Sequence, residues 1–325
     1  MTSFISHSRL PEFNLWNRIG DNHVPLDFEL EITARCNNNC RHCYINLPAG
    51  DMKAKRKELT LTEISDIADQ AVELGALWCL ITGGEPLLRK DFFDIYLSLK
   101  KKGLLLSPFT HACVDTEEHI AFFKKYPPRD IEVSVYGVSE ETYERVTRKP
   151  GSNAAFRRGL DLLLNSVLKI NYKSTVMRSN VHELPEMAAF CREQTTSAFR
   201  FDPLLHLRYD RDPLRNQEIL EERLTPEEIV TIEQADVIRA EALMKNCDHF
   251  IFPDPGHHQG NHLFLCGTGN RSFTVSYDGI FRLCADLWHP DTIYDLRKGS
   301  LAKAWNDLVP RVRDMRSNNP NCLAL

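Results

Sequence analysis

The feature of this sequence that most constrains its fold is an alternation of apolar runs with helical patterns, repeated roughly every 30 residues. The apolar runs predict six strands, at 26–34, 76–84, 104–109, 130–137, 168–177 and 198–205. Helical patterns separate them, and one begins at the capping box Thr60–Glu63. Strand–helix units in series are typical of a parallel sheet. We therefore predict an α/β protein with a partial (β/α)6 TIM-like barrel, which fits this pattern better than an open doubly wound sheet does.

The amino-acid composition of the sequence changes near residue 245. Residues 252–270 are rich in Gly, Pro and His, as loops are. Farther along, Tyr277-Asp278-Gly279 lies between two apolar runs, which predicts a β-hairpin. We therefore divide the chain into three parts. They are an N-terminal extension (1–25), the barrel (26–245) and a small C-terminal domain that contains the hairpin and is held by ligands rather than by a large core (246–325).

Charge and hydrophobicity exclude two classes of function. The formal net charge is −5, so the chain has no basic field of the kind that nucleic-acid binding requires. No apolar run approaches the roughly 18 residues of a membrane-spanning helix. The N-terminal sequence lacks the charged start and apolar core of a secretion signal, which predicts a cytoplasmic protein. Its ten cysteines are then expected to stay reduced rather than to form disulfides.

Three of those cysteines, Cys36, Cys40 and Cys43, fall within eight positions directly after the first predicted strand. In parallel α/β folds, the loops that follow strands carry the chemistry. A [4Fe–4S] cluster held by three thiolates leaves one iron open to a substrate or cofactor. A structural zinc ion takes four ligands, and His42 is awkward as the fourth because it adjoins Cys43. We therefore favour an iron–sulfur cluster, with a zinc site and plain thiols as the alternatives.

The spacing Cys-x3-Cys-x2-Cys, followed by Gly83-Gly84-Glu85-Pro86 after the second predicted strand, resembles the radical S-adenosylmethionine (SAM) superfamily over residues 26–205. The resemblance implies that the methionine end of SAM chelates the open iron. It also implies that an electron, from a donor such as flavodoxin or ferredoxin, cleaves SAM to methionine and a 5′-deoxyadenosyl radical. That radical would abstract a hydrogen atom from the substrate.

The same resemblance implies cofactor contacts for the Gly-Gly-Glu-Pro turn. Gly83 and Gly84 would let the backbone approach the methionine ammonium, and Glu85 would accept a hydrogen bond from it. The alternative is a tight strand-to-helix turn with a solvated glutamate. His42 would pack near the adenine and Ser134, at the end of the fourth strand, would contact the ribose. A surface imidazole and an ordinary strand serine are the alternatives.

The remaining clustered cysteines lie in the last quarter of the chain, at Cys247, Cys266, Cys284 and Cys322. The run from Cys266 through Gly279 to Cys284 resembles the start of the SPASM or twitch extension, which binds auxiliary [4Fe–4S] clusters. The four cysteines together could supply one auxiliary cluster. The pattern departs from the family at Leu325, where a further cysteine is usual. A zinc-stapled hairpin and a metal-free remnant are the alternatives.

The resemblance to enzymes with this extension favours a peptide as the substrate. Radical dehydrogenation or epimerisation of a small molecule, such as a sugar or an aminoglycoside, is the second hypothesis. A non-catalytic iron–sulfur or zinc-binding scaffold is the third. Only about 25 residues precede the first predicted strand, too few for a folded leader-binding module, so we expect another chain or the barrel face to present the peptide.

Overall fold

The computed structural model describes residues 23–195, 199–247, 262–264, 266 and 269–317. Most of its strands form one nine-stranded sheet, and two short strands pair only with each other. In chain order the strands are β1 (Asp27–Thr33), β2 (Arg35–Cys36), β3 (Leu47–Pro48), β4 (Trp78–Gly83), β5 (Leu105–Thr110), β6 (Ile131–Ser134), β7 (Ile170–Thr175), β8 (Arg200–Asp202), β9 (Ser272–Val275), β10 (Ile280–Arg282) and β11 (Ile293–Asp295).

The order of the strands in the sheet identifies the architecture. The nine strands run β11-β10-β9-β1-β4-β5-β6-β7-β8, and β1 and β4 to β8 are parallel neighbours in chain order. A doubly wound sheet reverses its strand order at a switch point, whereas a barrel progresses in one direction. The six predicted parallel strands and the mixed α/β class are confirmed, and the sheet is a partial barrel, open at β8 and β11.

Helices follow the parallel strands and cover the outer face of the sheet. They are α1 (Met52–Lys57), α2 (Leu61–Glu73), α3 (Phe92–Lys101), α4 (Glu117–Lys125), α5 (Glu140–Thr147), α6 (Ser152–Leu164), α7 (Leu184–Gln194), α8 (Pro213–Glu222), α9 (Pro226–Ala235), α10 (Val237–Cys247), α11 (Leu301–Lys303) and α12 (Val309–Arg313), the last two joined by a π-helical turn (Ala304–Leu308). The predicted capping box of α2 is present, with Thr60 and Glu63 bonded reciprocally. None of the described helices combines the length and hydrophobicity needed to cross a bilayer.

Alternation along β1 separates the core of the protein from the barrel interior. Phe28, Leu30 and Ile32 face the helices and are at most 1% exposed, within the main hydrophobic core. The intervening Glu29 and Glu31 point to the opposite face of the strand. Because β1 presents carboxylates to the inside of the barrel, that space is polar rather than filled by apolar side chains.

The C-terminal hairpin extends the same sheet. Strands β9 and β10 pair antiparallel, as predicted, and β9 also pairs parallel with β1, Phe28 opposite Phe273. Phe273, Val275 and Phe281 belong to the main core. The hairpin therefore shares the barrel's core instead of depending on ligands for its stability. The boundary near residue 245 stays a prediction, and residues 1–22 of the N-terminal extension lie outside the described residues.

Candidate functional site

A cavity of about 530 Å³ opens at the carboxyl ends of the parallel strands. The loop that carries the three cysteines forms one wall. The ends of β4, β6, β7 and β8 and the residues that follow β10 form the others. The structure thus brings the cysteine loop, the glycine turn after β4 and the C-terminal segment together around one space, which is where a parallel barrel places its active site.

The three thiols of the cysteine loop all line this cavity. Cys36 and Cys40 are buried, and Cys43 is half-buried. Backbone amides point at two of the sulfurs, since Asn38 N–H donates to Cys36 Sγ (3.4 Å) and Asn46 N–H donates to Cys43 Sγ (3.3 Å). Burial raises the pKa of each thiol in the metal-free chain, so metal binding would displace their protons.

The donor set of the loop suits an iron–sulfur cluster. It consists of thiols alone, which are the ligands that Fe–S clusters take, and amide hydrogen bonds to sulfur are a recurrent part of such sites. No three His, Cys, Asp or Glu side chains of the described residues are grouped to hold a single metal ion. The three thiols match the number of protein ligands of a [4Fe–4S] cluster that keeps one iron open, whereas a structural zinc ion takes four ligands.

The glycine turn at the end of β4 forms backbone hydrogen bonds to the residues that precede Cys36. The amide of Gly84 donates to the carbonyl of Thr33 (2.7 Å), and that of Glu85 donates to the carbonyl of Arg35 (2.9 Å). A Cβ on Gly83 would lie 2.1 Å from the Thr33 oxygen, and one on Gly84 would lie 2.3 Å from the Arg35 oxygen. Both glycines are thus required by the approach of two backbones, and both also line the cavity.

The carboxylate of Glu85 lies behind this turn and is fully buried. It accepts hydrogen bonds from the amides of Leu87 (3.1 Å) and His111 (3.1 Å) and from the hydroxyl of Thr110 (3.0 Å). Burial raises the pKa of Glu85 to about 7, although these hydrogen bonds act in the opposite direction and lower it. Glu85 joins the end of β4 to the end of β5 and is not the solvated glutamate of the alternative. Neither Glu85 nor the buried Pro86 is among the residues that line the cavity, and their predicted contacts with SAM stay predictions.

His42 and Ser134 both line the cavity, as their predicted contacts with the adenosine part of SAM require. Burial lowers the pKa of His42 to about 4, so its ring is neutral at physiological pH. Its Nδ1 is buried and has no hydrogen-bond partner among the described residues. The ring lies 5.1 Å from that of Tyr136, measured between centroids. A buried nitrogen of this kind on the cavity wall suits a polar ligand, whereas a surface imidazole does not describe this residue.

Four charged or ionisable side chains of the cavity wall were missed by the sequence reasoning. Glu29 projects from β1, and burial, reinforced by the neighbouring charge of Glu31, raises its pKa to about 7. Lys173 of β7 also lines the cavity and pairs with Glu132 of β6. His206 Nε2 and Asp286 Oδ2 lie 3.3 Å apart, and both residues line the cavity. The period-2 spacing of charged residues within apolar strands was the signal for Glu29.

The structure describes only part of the C-terminal cysteine set. Cys266 is exposed, and Cys284 is half-buried just after β10, two residues before the cavity-lining Asp286. The helix α10 ends at Cys247, but its side chain lies outside the described part of the structure, as does Cys322. The auxiliary cluster therefore stays a prediction.

Comparison with known proteins agrees with this geometry. Residues 30–191, about half of the chain, match the family model of the radical SAM superfamily. The chain is 25% identical over 301 residues to the antilisterial bacteriocin subtilosin biosynthesis protein AlbA of Bacillus subtilis (strain 168), covering 89% of this chain and 63% of AlbA. It is 27% identical over 296 residues to the PqqA peptide cyclase of Xanthomonas euvesicatoria, covering 87% of this chain and 74% of the cyclase.

A solved structure gives the same fold over nearly the whole chain. Streptococcus suis SuiB bound to its precursor peptide SuiA superimposes with a TM-score of 0.69 at 14% identity, covering 95% of this chain and 71% of SuiB. The chain spans less than two thirds of the length of AlbA and about half of another curated relative.

Proposed function

Because this chain belongs to the radical SAM superfamily, we propose that it reductively cleaves SAM and uses the resulting radical to modify a peptide. The observation that carries the proposal is the convergence of the three thiols and the Gly83–Gly84 turn on one cavity. In the proposal, Cys36, Cys40 and Cys43 hold a [4Fe–4S] cluster. When bound, the cluster and SAM supply a 5′-deoxyadenosyl radical.

The residues of this chain have two tasks in that chemistry. Gly83 and Gly84 place no side chain on the cavity wall beside the cysteine loop, so that the methionine end of SAM can lie against the backbone. His42 and Ser134 would fix the adenosine end on the same wall. The cysteine loop and the strand ends that surround the cavity would keep water and other hydrogen donors away from the radical.

Two relatives support a peptide as the substrate. One is a cyclase of the PqqA peptide, and the other acts in the biosynthesis of the bacteriocin subtilosin. In the proposal, the peptide segment lies in the same cavity, which Glu29, His206 and Asp286 also line. A reductant such as flavodoxin or ferredoxin would deliver the electron. An auxiliary [4Fe–4S] cluster on Cys266 and Cys284, completed by Cys247 and Cys322, is part of the proposal.

The test of SAM cleavage is an anaerobic assay on reconstituted protein. With dithionite and SAM, the wild-type chain is expected to release 5′-deoxyadenosine, and Cys36→Ala, Cys40→Ala and Cys43→Ala are expected to release none and to lose iron. Cys191→Ala, which removes a buried thiol of α7 away from the cavity, is the matched control and should keep both. Nucleoside release by the triplet variants would overturn the assignment.

The peptide part of the proposal has a separate test. The chain is coexpressed with a short peptide encoded beside its gene, and the peptide is analysed by mass spectrometry. A mass change that depends on Cys43 is expected. If the protein forms 5′-deoxyadenosine while that peptide keeps its unmodified mass, the peptide assignment is wrong although SAM cleavage stands.

A further inference from the structure

Two arginines that are distant in sequence form hydrogen bonds to the cysteine loop. Both lie in the segment that follows β8, Arg208 before α8 and Arg215 within it. Between them they donate hydrogen bonds to the backbone carbonyls of Cys40, Cys43 and Asn46. Two of these three residues are proposed cluster ligands, so the arginines act on the loop at the positions that matter most for its shape.

Arg208 is the more deeply placed of the pair, with its side chain 3% exposed. Its Nη1 donates to Cys43 O (3.3 Å), to Asn46 O (3.2 Å) and to Asn46 Oδ1 (2.9 Å). Its Nε and Nη2 donate to the carboxylate of Asp210 (3.0 and 2.6 Å). A rigid guanidinium can hold a carboxylate with Nε and Nη2 while the two N–H bonds of Nη1 are shared among three loop acceptors, and a lysine ammonium cannot reproduce that fork.

Arg215 completes the grip from α8. Its Nη2 donates to Cys40 O (2.8 Å), and its Nη1 donates to Glu218 Oε2 (2.8 Å). Glu218 also pairs with Arg148 at 2.8 Å. One carboxylate therefore serves two guanidinium groups, and a net positive charge is left beside the loop. Arg208, by contrast, is balanced by Asp210.

We propose that Arg208 and Arg215 are positioning residues that hold the cysteine loop in its cluster-binding shape, and that Arg215 also supplies positive charge that favours the reduced cluster. The inference rests on the proposed function, because it needs a cluster on Cys36, Cys40 and Cys43. Groups that hydrogen-bond to metal-binding residues from behind typically contribute about 10- to 100-fold to metal affinity or activity. Charge and hydrogen bonding near an Fe–S cluster set its reduction potential.

The experiment separates geometry from charge by comparing Lys and Gln replacements. Arg208→Lys and Arg208→Gln should both lose iron during anaerobic desalting, with metal affinity lower by about 10-fold or more, since each lacks the fork. Arg215→Lys should keep the cluster potential, and Arg215→Gln should move it to more negative values, as followed by EPR in a redox titration. Arg178→Gln, which breaks an exposed pair with Glu228, is the matched control and should change neither readout.

The outcomes distinguish this inference from the function beneath it. A wild-type protein without an Fe–S cluster overturns the proposed function. If the wild-type protein has a cluster, and every Arg208 and Arg215 variant keeps wild-type iron content and reduction potential, only the positioning role of the two arginines is overturned. Should an Arg208 variant fail to fold, the Arg215 variants decide, because that side chain is 17% exposed and its removal disturbs the interior less.

Discussion

At the scale of single residues, the site depends on backbone atoms that approach one another closely. The amides of Gly84 and Glu85 bond the carbonyls of Thr33 and Arg35, immediately before Cys36. The glycine turn therefore fixes the position of the backbone that leads into the cysteine loop. The Gly-Gly pair has this structural role whether or not a ligand is bound, as expected for the tight turn that the sequence offered as the alternative to ligand contact.

We expect Gly84→Ala to displace the cysteine loop. The added methyl group would lie 2.3 Å from Arg35 O and 2.7 Å from Ala34 O, and backbone cannot yield as a flexible side chain does. The cost should be about 1–3 kcal/mol of stability, together with lower iron content after reconstitution. Gly50→Ala is the matched control, because nothing among the described residues lies within 4 Å of the position that its methyl group would take. Full iron content in Gly84→Ala would contradict this account.

At the scale of elements, a buried ion pair fastens the hairpin to the barrel. Arg282 of β10 donates to Glu31 of β1 at 2.6 Å, and both side chains are fully buried. Glu31 also accepts a hydrogen bond from Tyr44 in the cysteine loop (2.8 Å). The guanidinium lies 3.4 Å from the ring of Trp288. One carboxylate thus joins three elements: β1, the cysteine loop and the hairpin.

We expect Arg282→Met to lower the free energy of unfolding by about 3–5 kcal/mol, because it leaves the Glu31 carboxylate buried without its partner. Adding Glu31→Gln should recover part of the loss by removing that charge. The exposed pair Arg297–Glu63 is the control, and Arg297→Gln should cost about 0–1 kcal/mol. Anaerobic denaturant unfolding measures all of these variants. Equal losses for Arg282→Met and Arg297→Gln would contradict the role of the buried pair.

Local patterns predicted most elements, because they are encoded by neighbouring residues. The strands follow apolar runs, and α2 and the hairpin turn follow capping and turn residues whose bonds the structure contains. Contacts between distant segments carry no such local signal. Neither the parallel pairing of β9 with β1 nor the hydrogen bond from Arg208 to Asn46 could be predicted from residues close in sequence.

At the scale of the whole molecule, barrel and hairpin form one sheet with one core. Phe28 of β1 stacks on Phe273 of β9, with centroids 5.2 Å apart, and Phe273 stacks on Phe281 of β10. Trp305, at 0% exposure, packs against Phe273 from the π-helical turn between α11 and α12. The apolar side of β1 is therefore continuous with the C-terminal segment, although the sequence texture changes between them.

We expect a chain that ends after residue 261 to lose its cooperative fold, because removal of β9 and β10 exposes Phe28 and its neighbours. Circular dichroism melting and iron content after reconstitution measure the effect. The matched comparison is the full chain carrying Cys266→Ala and Cys284→Ala, which keeps the strands and removes the predicted ligands. A truncated chain that melts cooperatively and binds iron would instead support a separate C-terminal domain.

The pairing of β9 with β1 has a consequence for biosynthesis. Translation releases β1 from the ribosome long before β9, so the nascent barrel waits with one row of amide and carbonyl groups unpaired. Slow, long-range pairing of this kind prolongs the time in which a chain can associate wrongly. The open edge of β1 is therefore covered only after the last strands of the sheet have been synthesised.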